Sequence, residues 1–321
     1  MTINISQVSN LCNQVLDEME RAVVGKRLVL EKILAATLSA GHVLLEDYPG
    51  LGKTLIARSF AATLGMSFRR VQFTPDLLPA DITGGYFFNR STGQFELRQG
   101  PIFTNILLAD EINRASPKTQ SALLESMQEY QVTLEGETFL LPRPFLVLAT
   151  QNPIEYEGTF PLPEAQLDRF LVKLVVGYPT LPEEQEILKR RQDRRKDEFD
   201  LKTIVQGDVF EDMRRTVETV YLDPDLEQYI VQLVSETRRD RRVAVGASPR
   251  ASLALLKLSR ARAAMQGRDY VLPDDIKVFI APVLLHRLIL QPEYWMKQQV
   301  VSEVIETVVR NVPVPVRGEP R

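Results

Sequence analysis

One cysteine, one tryptophan and two histidines are all that the 321 residues contain of those types. A lone Cys12 excludes an internal disulfide framework and suits a reducing compartment. With His42 and His286 far apart in sequence, a thiolate or imidazole metal centre has too few ligands; His42 itself reads as a strand-boundary residue. Net charge is scarce as well, since 39 basic against 42 acidic residues give −3 at neutral pH. A general positive field that would hold nucleic acid is therefore not expected. No apolar run approaches the ~20 residues that cross a bilayer, and no signal-peptide h-region opens the sequence. Membrane insertion is not expected, and the expected location is cytoplasmic. What is present is ordinary for a globular protein, with 44% hydrophobic and 25% charged residues. The length allows two cores.

Four short, nearly continuous apolar runs, at 42–45, 106–109, 145–149 and 171–176, read as buried parallel strands, and 68–73 reads as a further strand. Helical patterns alternate with them at 11–21, 28–40 and 54–64. Gly41 and Gly65 are placed to close the last two of these helices. Ser116 and Pro117 supply the N-cap and first residue of another helix, with Leu123, Leu124 and Met127 on one face. This alternation defines an α/β domain with a five-stranded parallel sheet flanked by helices. Two hairpins interrupt it, one over 85–98 and one over 131–141 that turns near Glu135-Gly136-Glu137. Such insertions commonly carry partner contacts.

After Tyr178 the texture changes. Thr180 and Glu183 form a capping box for a charged helix through Arg195. Further helices are expected at 223–239, 248–266, 273–290 and 293–309, and the proline-bearing tail 312–316 is expected to be extended. The reading is thus an α/β nucleotide-binding domain over 1–178 and a small all-α domain over 179–321.

Residues 44–55 run from an apolar strand through Pro49-Gly50-Leu51-Gly52 into a helix that opens on Lys53-Thr54-Leu55. That is the layout of a phosphate loop, in which backbone N–H groups and the helix dipole face the phosphates. Lys53 would reach the β- and γ-phosphates of ATP, and the Thr54 hydroxyl would bind Mg²⁺. Asp47 departs from the usual G-x-x-x-x-G-K-[ST] pattern, occupying the place of its first glycine. The third strand then ends in Asp110-Glu111, one carboxylate to help hold Mg²⁺ and one to orient the attacking water. The fourth ends in Thr150-Gln151-Asn152, whose terminal amide can contact both γ-phosphate and water. In the second half, Arg250 lies in the first turn of a helix capped by Ser248. A cation is unfavourable at that end of the dipole, so an anionic partner for it is expected.

The order of these motifs resembles the AAA+ ATPases and, among them, the MoxR family. The resemblance spans nearly the whole chain: residues 44–54, 76–84, 110–115, 149–153, 163–170, 248–251 and 281–284. It implies that Asn152 is the sensor 1 residue, Arg250 the sensor 2 residue and Arg169 the arginine finger. It further implies that Val24 and Gly25 lie beside the adenine. The hairpins match the helix-2 insertion and the pre-sensor-1 hairpin of that branch, and the helical half matches its lid. A finger acts on a neighbour's nucleotide, so a ring, usually a hexamer, is implied. Arg250 belongs to the helical half, so loss of the γ-phosphate would be expected to swing that half against the sheet.

By the same resemblance the function is ATP-driven remodelling or maturation of protein partners, with von Willebrand factor A-type proteins and metal-dependent complexes as clients. Two rival readings are a nucleic-acid motor of the same branch and a nucleotide-gated scaffold without turnover. Basic runs at 189–196 and 238–242 allow the first, but the hairpin sequences carry no basic stripe. The intact Glu111 opposes the second.

Overall fold

A computed structural model of the chain describes residues 3–153, 158–295, 297 and 299–315. The chain opens with α1 (Ile5–Glu20) and α2 (Arg27–Leu38), then β1 (His42–Glu46), α3 (Lys53–Thr63), β2 (Phe68–Gln72) and the single turn α4 (Pro79–Thr83). A hairpin of β3 (Gly84–Asn89) and β4 (Gln94–Gln99) follows, then β5 (Ile106–Asp110) and α5 (Pro117–Glu129). A second hairpin, β6 (Gln131–Leu134) with β7 (Glu137–Leu140), leads to β8 (Leu146–Gln151), α6 (Glu164–Leu167) and β9 (Phe170–Leu174). The remainder comprises α7 (Leu181–Arg194), α8 (Gly207–Glu218), α9 (Pro224–Glu236), β10 (Val243–Val245), α10 (Pro249–Met265), α11 (Pro273–Leu284), β11 (Ile289–Leu290) and α12 (Gln299–Asn311).

The main sheet is five-stranded and parallel, in the order β2-β5-β8-β1-β9. Alternate side chains feed two cores, because successive residues of a strand face opposite sides. Val43, Leu45, Ile106, Leu108, Leu146 and Leu148 join one cluster with α1, α2, α3 and the later helices. Leu44, Leu107, Ala109, Val147 and Ala149 join the other, under α5. Every phosphate-loop or acidic residue of interest follows the C-terminal end of a strand in this sheet, where open α/β sheets place their ligands.

Several details differ from the sequence reading. α1 starts at Ile5, six residues earlier than expected, where Asn4 and Gln7 form a reciprocal capping box. α2 is closed by Ala40 in the left-handed region (φ 54°) rather than by Gly41. Gly41 serves close approach instead, since a Cβ there would stand 2.2 Å from Leu171 Cδ2. The helix expected over 273–290 ends at Leu284, and Ile289–Leu290 pairs antiparallel with Val243–Val245, adding a small ribbon to the helical lid. α8 was not anticipated, although Phe210, Met213 and Val217 form a helical buried face. The helix expected from Glu293 begins at Gln299, after a short 3₁₀ turn at Pro292–Tyr294. Of the tail, Val316 lies outside the described residues. No helix among the described residues is long and apolar enough to cross a membrane.

His42 has a structural role. It is 4% exposed; Val147 N–H donates to its Nδ1 (3.0 Å), so its Nε2–H donates to the Met127 carbonyl (2.9 Å). Burial pulls this imidazole down to about 4, and His286, also buried, is held well below its ordinary value. In the unfolded chain each ring takes up its proton near 6.5, whereas the folded rings resist, so stability is full above that pH and falls as pH drops towards 4. For His42 alone the expected loss between pH 7 and pH 5 is about 2 kcal/mol. Denaturant midpoints at the two pH values check it, and equal midpoints would remove the buried neutral histidine from the account.

Candidate nucleotide site

Lys53 is the first residue of α3, and the turn that delivers it requires two left-handed backbones, Gly50 (φ 84°) and Gly52 (φ 80°). Side chains with a Cβ rarely adopt that region, and the missing Cβ atoms leave the backbone N–H groups open to a phosphate. Lys53 Nζ donates to the carbonyls of Asp47 and Tyr48, both at 2.7 Å. Partial burial pulls its ammonium below the ordinary lysine value, against the opposing pull of Asp47, Asp110 and Glu111.

The aspartate that departs from the usual loop pattern has a clear physical account. Asp47 is 3% exposed; its Oδ1 accepts the Tyr48 N–H (2.8 Å) and its Oδ2 the Gly177 N–H (2.6 Å). The first of these charge-assisted bonds braces the loop locally, and the second ties it to the chain leaving β9 towards α7.

Pro49, Gly50, Leu51, Gly52, Lys53, Thr54, Asp110, Glu111 and Asn152 line one cavity of about 240 Å³, together with Arg70, Thr150 and Gln151. Strand order explains the convergence, since β8 lies beside β1 and β5 beside β8, and both deliver their last residues to the same edge. Thr150 fixes the acidic pair: its hydroxyl donates to Asp110 Oδ1 (2.6 Å) and accepts the Glu111 N–H (2.8 Å). Glu111 takes a left-handed backbone (φ 57°, ψ 50°), uncommon for a residue with a side chain. Its Oε2 accepts from Gln72 Nε2 (2.7 Å) and Arg114 Nη1 (3.1 Å). Neither Arg70, Gln72 nor Thr150 was singled out in the sequence. The β2–β5 register, which pairs Gln72 with Asp110, brings in Arg70 and Gln72, and the pairing of β5 with β8 brings in Thr150.

An adjoining cavity of about 360 Å³ shares Gly50, Leu51 and Gly52 with the first and is lined by Val23, Val24, Leu55, Ile187 and the face of α7. Its apolar walls suit a nucleobase. Gly25 does not line it but packs against Glu183, the capping-box residue of α7.

Arg169 and Arg250 are elsewhere. Both line a separate cavity with His42, Asp168, Lys257 and Arg287. His42 opens β1, while the phosphate loop follows its other end, and a five-residue strand is about 17 Å long. Arg250 therefore cannot meet a phosphate held by Lys53 of its own chain without a large displacement. The expected swing of the helical half by direct contact of Arg250 with its own chain's γ-phosphate does not suit this arrangement. Asp168 positions Arg250: it accepts from Ser248 Oγ (3.0 Å) and Arg287 Nε (2.7 Å) and faces Arg250 at 3.7 Å. Arg287 also donates to the carbonyls of Phe170 (2.7 Å) and Leu171 (3.2 Å), fastening the end of α11 to β9.

A glycine-turned phosphate loop and an acidic pair on parallel strands one apart in the sheet, beside a helical lid, define a P-loop ATPase of the AAA+ class. The family model described as ATPase family associated with various cellular activities (AAA) matches residues 42–172, and the AAA lid domain matches 235–308. The chain is 48% identical to an uncharacterized protein, YeaC, of Bacillus subtilis (96% of each chain). It is 44% identical to the chaperone MoxR1 of Mycobacterium tuberculosis (93% of this chain, 81% of that protein). A crystal structure of a candidate ATPase from Cytophaga hutchinsonii superimposes with a TM-score of 0.89 at 40% identity, covering 96% of each chain. The chain belongs to the MoxR family of AAA+ ATPases.

Proposed function

We propose that this chain hydrolyses Mg-ATP at sites completed between subunits of a ring, usually a hexamer in this class, and that turnover remodels or matures protein partners. The observation that carries the reading is the placement of the two arginines. The phosphate cavity holds Lys53, Asp110, Glu111 and Asn152 at one end of β1, and Arg169 and Arg250 lie at the other. A head-to-tail contact between copies would bring the second end of one subunit to the first end of the next.

In this reading Lys53 and the loop N–H groups hold the phosphates, Glu111 orients the water, and Asn152 bridges water and γ-phosphate. Thr54 and Asp110 supply hard oxygen ligands, which fit Mg²⁺, an ion that takes its remaining ligands from phosphate and water. When bound, that ion would neutralise charge on the β- and γ-phosphates. Arg169 and Arg250 of the adjoining subunit would add charge where it develops on the transferred phosphoryl group. Val24 and Leu55 would flank the base. The division near Tyr178 then separates the nucleotide-holding body from the lid.

Protein clients are favoured by the hairpins. Phe87, Phe88 and Phe95 are 55%, 55% and 70% exposed, and Tyr86 links the two hairpins through Glu137 (2.8 Å). Glu96, Glu135 and Glu137 stand where a nucleic-acid backbone would need cations. A relative is named a chaperone, and the family resemblance points to von Willebrand factor A-type proteins or metal-dependent complexes as clients.

Mixing variants tests the shared site. Arg169→Ala and Lys53→Ala should each be nearly inactive. In an equal random mixture about a quarter of interfaces would pair an intact cavity with an intact finger, so turnover should return in part. Arg250→Ala should behave like Arg169→Ala. No recovery in either mixture would defeat completion between subunits.

A further inference from the structure

Arg70 enters the phosphate cavity from β2, the edge strand of the sheet. Its Nε (3.1 Å) and Nη2 (2.7 Å) both donate to one oxygen of Asp110, Oδ2. The other oxygen is taken by the Thr150 hydroxyl. We propose that Arg70 is an exchangeable counter-ion, which neutralises Asp110 while the site holds no metal and yields that carboxylate when a divalent cation arrives with the nucleotide. The inference rests on the nucleotide-binding reading above.

Three observations support exchange over a fixed fastening. Both guanidinium contacts fall on a single oxygen, so the pair lacks the two-oxygen fork that makes arginine–carboxylate pairs strong. The two partners also differ in freedom. The Arg70 side chain is 47% exposed and that of Asp110 only 12%, so the guanidinium can leave into the cavity while Thr150 keeps the carboxylate in place. Charge gives the third argument. Asp110 and Glu111 share a small cavity with the expected phosphates, and Lys53 and Arg70 are the cations among its lining residues. Without Arg70, a bare Asp110 would repel a metal-free nucleotide.

The exchange also reaches Glu111. Arg70 Nη2 donates to Gln72 Oε1 (2.9 Å), and Gln72 Nε2 donates to Glu111 Oε2 (2.7 Å). Arg70 and Gln72 are two apart on one strand and so share a face. When Arg70 leaves Asp110, the Gln72 amide loses its second anchor. Release of the water-orienting carboxylate is thereby tied to occupancy of the metal position.

Calorimetric ATP binding in EDTA and in excess Mg²⁺ tests this, with Lys53→Ala as the non-binding control. For Arg70→Gln, metal-free binding should weaken about tenfold, while binding in excess Mg²⁺ should hold or tighten. The Mg²⁺ concentration at half-saturation should fall. Arg70→Lys, which keeps the charge but not the paired N–H groups, should shift the same way by less and serves if the glutamine variant does not fold. On an Asp110→Asn background, Arg70→Gln should no longer change the ratio of the two constants. Equal weakening in both conditions would make Arg70 a permanent phosphate ligand and overturn the proposal. No change in either would make it a strand fastener, with the same consequence. A wild-type protein that binds no ATP in either condition would instead remove the nucleotide-binding reading itself.

Discussion

Lys53→Ala is expected to lose ATP affinity by about 30- to 1,000-fold, the effect of removing 2–4 kcal/mol of charge-assisted contact. The ammonium stands over the loop that Gly50 and Gly52 open, and its present partners are two loop carbonyls, those of Asp47 and Tyr48. Those carbonyls hold Nζ beside the cavity that Lys53 lines. Nothing else in the loop can substitute, because its other groups are backbone dipoles. The fold should survive the change, since the loop is also anchored by Asp47 to Tyr48 and Gly177 and Lys53 belongs to neither core cluster. Unfolding midpoints within about 0.5 kcal/mol of wild type are therefore expected. Undiminished ATP affinity in a folded Lys53→Ala protein would take Lys53 out of the site and leave the phosphate loop without its cation.

What could be read from the sequence was whatever local chemistry decides. Four of the five strands of the main sheet announce themselves by apolar runs, α5 by Ser116 and Pro117, α7 by Thr180 and Glu183, and the hairpins by glycine-bearing turns. The phosphate loop and the acidic pair could be read for the same reason, since each is a short string at the end of a strand. Contacts set by strand order could not be read. Arg70 reaches Asp110 across 40 residues, Asp47 reaches Gly177 across 130, and Arg287 reaches Asp168 across 119. Nothing in the text near any of them signals the partner. Arg250 shows the same limit. Its capped helix start was visible, but which end of the sheet it would occupy depends on how α11 is fastened to β9. α8 differs in kind, for Phe210, Met213 and Val217 carry its apolar spacing in the sequence itself.

Glu111→Gln should keep ATP bound while turnover falls by about 10²- to 10⁴-fold, the range for loss of a general base. The carboxylate is held away from the loop: its contacts are Gln72, Arg114 and, through its backbone, Thr150. It touches neither Lys53 nor the glycine turn, so binding and hydrolysis should separate cleanly at this residue. The geometry at Glu111 also favours a like-sized amide. The left-handed backbone that aims the side chain is set by the end of β5 and by Thr150, neither of which depends on charge. A glutamine can still accept from Arg114 through its Oε1, while its amide can no longer take a proton from water. Such a variant would rest in the ATP-bound state, with any client that this state grips. Retained ATP affinity with turnover near zero, measured by calorimetry and phosphate release on one preparation, is the expected pair of results. Turnover equal to wild type would refute the role of Glu111. Loss of binding together with turnover would make it a nucleotide ligand, and the partition of labour between Lys53 and the acidic pair would have to be redrawn.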